Sequence, residues 1–548
     1  MGGSQEKNGL RLHWKSLAAC SLISMSPFQY GVDFTLIGGF QAMVGFLKVY
    51  GEPSPNTSIG WNISSERQQL ISSLMTLGAF VGSCSAGPVA TYIGRKTALY
   101  IAVFLIYVAN IIMMTDATIG GLYAGRLIIG LGNGFLMTFS QLYIQECSPA
   151  RYRGLMLGAF QFWTSFGSLL GTIVDNFTAK IDGRDSYIIP LGLIFIIPAF
   201  LCAGMFFIPE SPRWLLQHDK VDQARKALVW LRPDQETVNK EMEDIQTAIE
   251  LEQNLANGVS VWDMFANPVD RRRTILAVAA VCTQAASGAM FMIGERVTSR
   301  NQNLLNDDAN EYVLAYGTYF FEMANVGNAF ENSCILTALG VVAILINIAV
   351  ITRIGRRRLF LTVGLIICGF SQLIIAIVYN VRPGTQPTGK AIVGLSVIFI
   401  FAYNGMVSTY AWVSGGELPS QRLRSYTFGL AAAMGFLGAW LATFTAPYFI
   451  NPDSLNWGPK YGYIWFPSCL VAAAFIFFYL PEVKGRTLEE IDEMFEQRLP
   501  ARKFASYKCV GPAALEQRLK AAENPANGEA RVSGDSEKVT TETIENKA

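Results

Sequence analysis

Asp33 and Arg126 are the two charged side chains that fall well inside long apolar runs of this chain. A charge at the centre of a bilayer costs at least about 2.5–3.5 kcal/mol on insertion scales, so each is a candidate functional residue that needs a partner. Gln161 and Gln284 also lie inside apolar runs. An amide there is costly unless it is hydrogen-bonded, and its planar group suits paired bonds to hydroxyls. His13 and His218 are the only histidines, and no nucleophile–base arrangement accompanies them, so enzymatic chemistry is not expected. Nine cysteines are spread singly, without metal-ligand or disulfide-framework spacing, and no metal or cofactor is expected.

The elements that must position these residues are long apolar helices. Half of the chain is hydrophobic, 16% is charged, and the mean hydropathy is +0.30. A soluble chain of this length would carry about a quarter charged residues. The net charge of +1 gives no bulk attraction to nucleic acid. About twelve stretches can cross roughly 30 Å of hydrocarbon. They lie near 17–46, 68–91, 97–115, 120–146, 154–175 and 187–208, then 274–293, 333–352, 358–380, 391–416, 424–447 and 461–480. Ile93-Gly94-Arg95-Lys96 returns 261 residues later as Ile354-Gly355-Arg356-Arg357, each a basic turn between apolar runs. Duplicated halves of this kind are how many secondary transporters are built.

Arginines and lysines cluster before the first span and after the second, fourth, eighth and tenth. Positive-inside asymmetry then puts both termini in the cytoplasm. Three sequons, at Asn56, Asn62 and Asn176, are read as loop sites on the opposite face and as candidates for glycosylation. Residues 1–16 form a cytoplasmic N-terminus, 17–208 the first six-helix half and 209–272 a cytoplasmic linker with short amphipathic helices. The second half covers 273–480, and a cytoplasmic tail covers 481–548, expected to be disordered after about 520.

Several motifs are more specific. Pro209-Glu210-Ser211-Pro212-Arg213-Trp214-Leu215 follows span six, and Pro481-Glu482-Val483-Lys484-Gly485-Arg486 follows span twelve. Gly125-Arg126 lies in span four, with Glu146-(x2)-Pro149-(x3)-Arg153-Gly154 and Glu417-Leu418-Pro419-(x4)-Arg424 in matching places of the two halves. Together they resemble the sugar porter family of the major facilitator superfamily, and Tyr30-Gly31-Val32-Asp33 and Tyr316-Gly317-Thr318-Tyr319 are similar to fungal sugar transporters. The resemblance covers about residues 15–500. It implies an all-α membrane fold of twelve helices in two pseudo-symmetric six-helix halves.

It also implies roles. Asp33 and Arg126 would face each other, with Asp33 taking the coupling proton. Glu146, Arg153, Glu210, Arg213, Glu417, Arg424, Arg95 and Arg356 would form the cytoplasmic charge network that gates alternating access. By family position Gln161, Gln284, Asn404 and Trp412 would bind substrate, with Phe28 and Gln29 as additions. Some expected ligands are replaced, by Ala285, Met290 and Gly435, the span-ten hinge reads Ser408-Thr409, and the interspan acid is Thr91 in one half and Thr352 in the other. Fewer amides suit a less hydroxylated or partly apolar substrate. Residues 294–314 form a polar insertion in span seven, either a translated, unspliced intron or a true extracellular lid.

The reading is a monomeric plasma-membrane carrier of a monosaccharide or small polyol, embedded in the lipid bilayer, with the proton as coupling ion and a tail shorter than sensors of the family carry. The alternatives are a carrier of a quinate-like acid, a non-transporting sugar sensor, and a decayed paralogue.

Overall fold

The computed structural model describes residues 13–41, 43–53, 61–181, 183–232, 234–254, 262–289, 329–353, 356–382, 385–420, 422–450, 455, 457–484, 486, 488–507 and 509. The insertion 294–314, Met290, Asn56 and the tail beyond 509 lie outside them, as do the side chains of Asn62, Arg153 and Thr352.

Helices dominate. The first half contains α1 (Trp14–Ser24), α2 (Ser26–Phe40) and α3 (Val44–Tyr50), then a two-residue antiparallel pairing of β1 (Glu52–Pro53) with β2 (Trp61–Asn62). It continues with α4 (Ser65–Ile93), α5 (Arg95–Thr115), α6 (Ile119–Cys147), α7 (Ala150–Thr178), α8 (Asp185–Leu193) and α9 (Ile196–Met205). The connecting segment forms α10 (Pro212–Gln217), α11 (Val221–Leu231), α12 (Gln235–Asn254) and α13 (Asp263–Ala266). The second half contains α14 (Pro268–Ala286), α15 (Ala329–Arg353), α16 (Arg357–Val381), α17 (Gln386–Ala402), α18 (Thr409–Glu417), α19 (Arg424–Ile450) and α20 (Gly462–Tyr479).

Nine described helices are long and apolar enough to cross a membrane, ten if the bent α1–α3 group is one span. The twelve expected are not all countable among the described residues. Helix α14 ends at Ala286, and Gly288, at φ +71°, closes it in the left-handed region that favours glycine. Large apolar side chains such as Phe104, Ile111, Val471 and Phe478 stand exposed on the outside. Lipid, not water, suits a surface of that kind.

Inside, small residues bring helices close. A Cβ added to Gly78 would fall 2.2 Å from the Leu127 carbonyl oxygen, and one on Gly130 would fall 2.1 Å from that of Met75, so α4 and α6 touch backbone to backbone. The halves meet along α4 against α19, where a Cβ on Gly429 would lie 2.9 Å from the Ser83 carbonyl. They also meet along α7 against α15, where one on Gly158 would lie 3.3 Å from Ile348.

The linker joins the face that bears the basic turns, here termed the basic face. Ser16 Oγ donates to the Cys147 carbonyl at 2.9 Å, and Arg232 Nη1 donates to the same oxygen at 3.1 Å while also pairing with Glu241. Asp234, beginning α12, accepts the Thr237 N–H, and that bond holds its carboxyl below the usual range. The segment from Pro481 is a separate unit, with amphipathic α21 (Leu488–Glu496) and Phe495 edge-on to Phe504 at 5.0 Å.

Asn176 is a correction to the sequence reading. It lies in the last turn of α7, not in a loop, because no proline breaks the helix between Ala150 and Thr178. Thr178 is buried and donates its hydroxyl to the Val174 carbonyl at 3.0 Å.

Candidate functional site

A cavity of about 990 Å³, counting its open mouth, lies between the halves. Helix α7 brings Gln161 to it, α14 brings Gln284, and the α17–α18 rod brings Asn404 and Trp412. That rod is not a simple α-helix. Tyr403–Ser408 form a π-helical segment, a wider turn that leaves carbonyls without their ordinary partners and often sits at functional sites. Thr409 Oγ1 takes up the Asn404 carbonyl at 3.1 Å, so the Ser408-Thr409 substitution supplies its own repair. Tyr403 and Ser408 hydroxyls each approach Gln284 Oε1 at 3.4 Å, which orients the amide and leaves its Nε2 for another partner. Tyr30 packs on Phe436 at 5.7 Å and Trp412 on Phe160 at 5.9 Å, so aromatic pairs from opposite halves wall the space.

Four sequence-read residues thus share one cavity. Phe28 and Gln29 are not among its lining. Phe28 packs edge-on against Trp163 at 6.3 Å, and buried Gln29 is turned toward Asp33. Both lie on α2, but on a face turned from the cavity that Tyr30 and Phe34 line. Neither reaches the cavity in this structure.

Asp33 is 1% exposed. Its Oδ1 accepts Gln29 Nε2 and its Oδ2 accepts Asn133 Nδ2, both at 2.7 Å. Arg126 reaches it differently, with Nη1 donating to the Asp33 backbone carbonyl at 3.4 Å and Nε to the Ile71 carbonyl at 3.2 Å. The guanidinium thus bonds the Asp33 backbone, and neutral amides hold the carboxylate. Asn133 escaped the sequence reading; it stands seven residues after Arg126, on the same face of α6. Asp175 also escaped it. This buried acid closes the far end of α7 against Gly39, where an added Cβ would fall 2.2 Å from its Oδ2.

At the basic face, Gly94 turns the chain at φ +92° and α5 starts immediately. Glu210 caps that start, accepting the Arg95 and Lys96 backbone N–H groups at 3.2 and 2.9 Å. A carboxylate at a helix N-terminus is stabilising. Burial nonetheless pushes the Glu210 carboxyl above its ordinary value, against hydrogen bonds that pull it down. Arg95 Nη2 pairs with Glu146 at 2.8 Å and reaches Ser425 Oγ of the second half at 3.3 Å, and Glu146 also accepts the Ser211 hydroxyl. The hydroxyls of Thr91 and Tyr426 lie 3.3 Å apart across the same seam.

In the second half Arg357 grips Glu417 with both ends of its fork, at 2.9 and 3.1 Å. Arg356 is exposed. The sequence repeat aligned Arg356 with Arg95, but α16 begins at Arg357, and only the residue inside the helix start points at Glu417. Arg424 and Arg213 are buried on their own segments, and Glu417 pairs with Arg357.

A family profile described as "Sugar (and other) transporter" matches residues 19–495. The chain is 28% identical to the major facilitator-type transporter ecdD of Aspergillus rugulosus, over 93% of each chain. It is 30% identical to the maltose permease MAL31 of Saccharomyces cerevisiae, over 91% of this chain and 78% of that one. Among solved structures, the proton:xylose symporter XylE bound to 6-bromo-6-deoxy-D-glucose aligns with a TM-score of 0.71 at 18% identity, covering 88% of this chain and all of that one. The fold is that of the major facilitator superfamily, and the chain is a multi-pass membrane protein belonging to the sugar (and other) transporter family.

Proposed function

We propose that this carrier moves a monosaccharide or small polyol across the plasma membrane by alternating access, as a monomer with both termini in the cytoplasm, and that Asp33 couples the movement to protons. The observation that carries the substrate reading is the cavity between halves that takes Gln161 from one and Gln284 and Asn404 from the other. A small polyhydroxylated molecule bridging those amides would bind both halves at once, so its departure would be tied to their separation. The Arg95–Glu146 and Arg357–Glu417 pairs, with the Arg95–Ser425 contact across the seam, would be the latch on the cytoplasmic side.

Proton coupling is supported by the setting of Asp33. Its carboxylate is buried, is held by two amides that bind either protonation state, and is linked to Arg126 only through its backbone carbonyl.

A second reading draws on the apolar share of the lining. Val281, Ala285, Leu336, Ile400 and Ala439 leave fewer polar groups than a fully hydroxylated hexose would use, which favours a less hydroxylated metabolite such as a quinate-like acid. Uptake of labelled glucose, xylose, sorbitol and quinate into transporter-deficient cells at two external pH values tests both readings. Sugar or polyol uptake that rises at acid pH is expected; quinate uptake alone replaces the first reading by the second.

A further inference from the structure

Beneath the central cavity, toward the basic face, the seam between α6 and α18 is closed but not apolar. Met137 of α6 lines the cavity. Gln141 and Gln145 follow it at one-turn intervals on the same helix face, each step about 6 Å nearer the basic face. Opposite them, Trp412 lines the cavity and Gly416 stands one turn below it on α18. Gln145 fills the space that Gly416 leaves open, since a Cβ added there would fall 1.9 Å from Gln145 Nε2.

Both amides are fully enclosed, Gln141 at 0% and Gln145 at 1% exposure. Among the described residues, neither the oxygen nor the nitrogen of either amide has a hydrogen-bond partner. Four unsatisfied polar atoms in a buried seam cost free energy, which a packing role would not require. An apolar side chain of the same volume would fill the same space without that cost.

We propose that Gln141 and Gln145 form an inner binding station for the hydroxyl groups of the substrate, reached when the path from the central cavity opens between α6 and α18. The proposal rests on the transport reading above and extends it. In the closed state the amides wait unpaired; on opening, a polyhydroxylated molecule leaving the Gln161–Gln284 level meets them in order. The same unpaired atoms bias the seam toward opening, because only the open seam supplies partners.

The test is half-saturation measured from each side, in right-side-out and inside-out membrane vesicles, with labelled glucose, xylose, sorbitol and quinate as probes. Gln145→Met keeps the volume and removes the amide, and Gln141→Met gives a second, independent reading. For the probe that the wild type carries, half-saturation from the basic face is expected to rise about fivefold to twentyfold in each variant, the loss of one or two hydrogen bonds. From the opposite face it is expected to stay within about twofold, on the same scale. Thermal unfolding of each purified variant is expected at or above the wild-type midpoint. Equal shifts on the two sides, or none, overturn the station while leaving transport standing. A variant that melts well below the wild type overturns the premise that these amides are unpaired when closed. A wild type that carries none of the four probes removes the transport reading, and the station with it.

Discussion

In the first half Arg95 reaches Glu146, and in the second Arg357 reaches Glu417; both pairs are buried, and both follow a basic turn. Between the membrane faces the halves part company. The first half encloses Asp33 and Arg126 with the amides of Gln29 and Asn133. The described helices of the second half place amides, hydroxyls and aromatic rings there instead: Gln284, Asn404, Ser408, Tyr403 and Trp412, on a rod widened by a π-helical segment. Among the described residues, each half keeps a buried ion pair behind its basic turn, while the interior differs, with Asp33 and Arg126 in the first half and more of the cavity lining from the second.

The largest expected effect would break the comparison at its first term. Asp33→Asn should abolish accumulation of substrate against its gradient while downhill exchange survives, measured as pH-driven uptake beside counterflow. The next concerns the latches. Removing one partner of a buried ion pair costs about 3–5 kcal/mol. Arg357→Ala should lower the melting temperature more than Arg95→Ala, because Glu146 keeps the Ser211 hydroxyl. An equal or reversed order would show that the Ser211 contact does not set the halves apart.

A smaller effect sharpens the recognition side. Gln284→Leu and Gln161→Leu should each weaken substrate binding about tenfold to a hundredfold, the loss of one or two hydrogen bonds with a partner left unpaired. The pH dependence of transport should remain in both, as read from uptake at two external pH values. The smallest effect is at the Glu210 cap. Burial holds its carboxyl above the ordinary value, so folding favours the protonated form. Wild-type stability should therefore fall, relative to Glu210→Gln, as pH rises from below the ordinary glutamate range through the raised value. Melting curves of the two proteins across mildly acidic to neutral pH check the slope.

The fold class was legible because a long apolar run, a basic turn and a repeat of that turn are local facts, and lipid allows few structures to satisfy them. The convergence of Gln161, Gln284, Asn404 and Trp412 rested on motif order, since residues so far apart in the chain carry no spacing that says they meet. Three features were not legible. Arg356 and Arg357 are adjacent arginines, and the start of α16 alone decides which one turns inward. Gln29 carries the same amide as a substrate ligand; it bonds Asp33 one turn on within α2, and only the rotation of α2 turns it from the cavity. Asn133 sits in a run of small and apolar residues with no motif around it, so its bond to Asp33 emerges only when α2 and α6 pack.

The division of the interior is tested most directly in proteoliposomes holding a labelled sugar or polyol that the protein carries, with an imposed proton gradient. Wild-type protein is expected to concentrate the label and Asp33→Asn only to equilibrate it, with equal exchange rates in the absence of a gradient. If Asp33→Asn concentrates the label as well as the wild type, or if the wild type merely equilibrates it, the first half does not hold the coupling site.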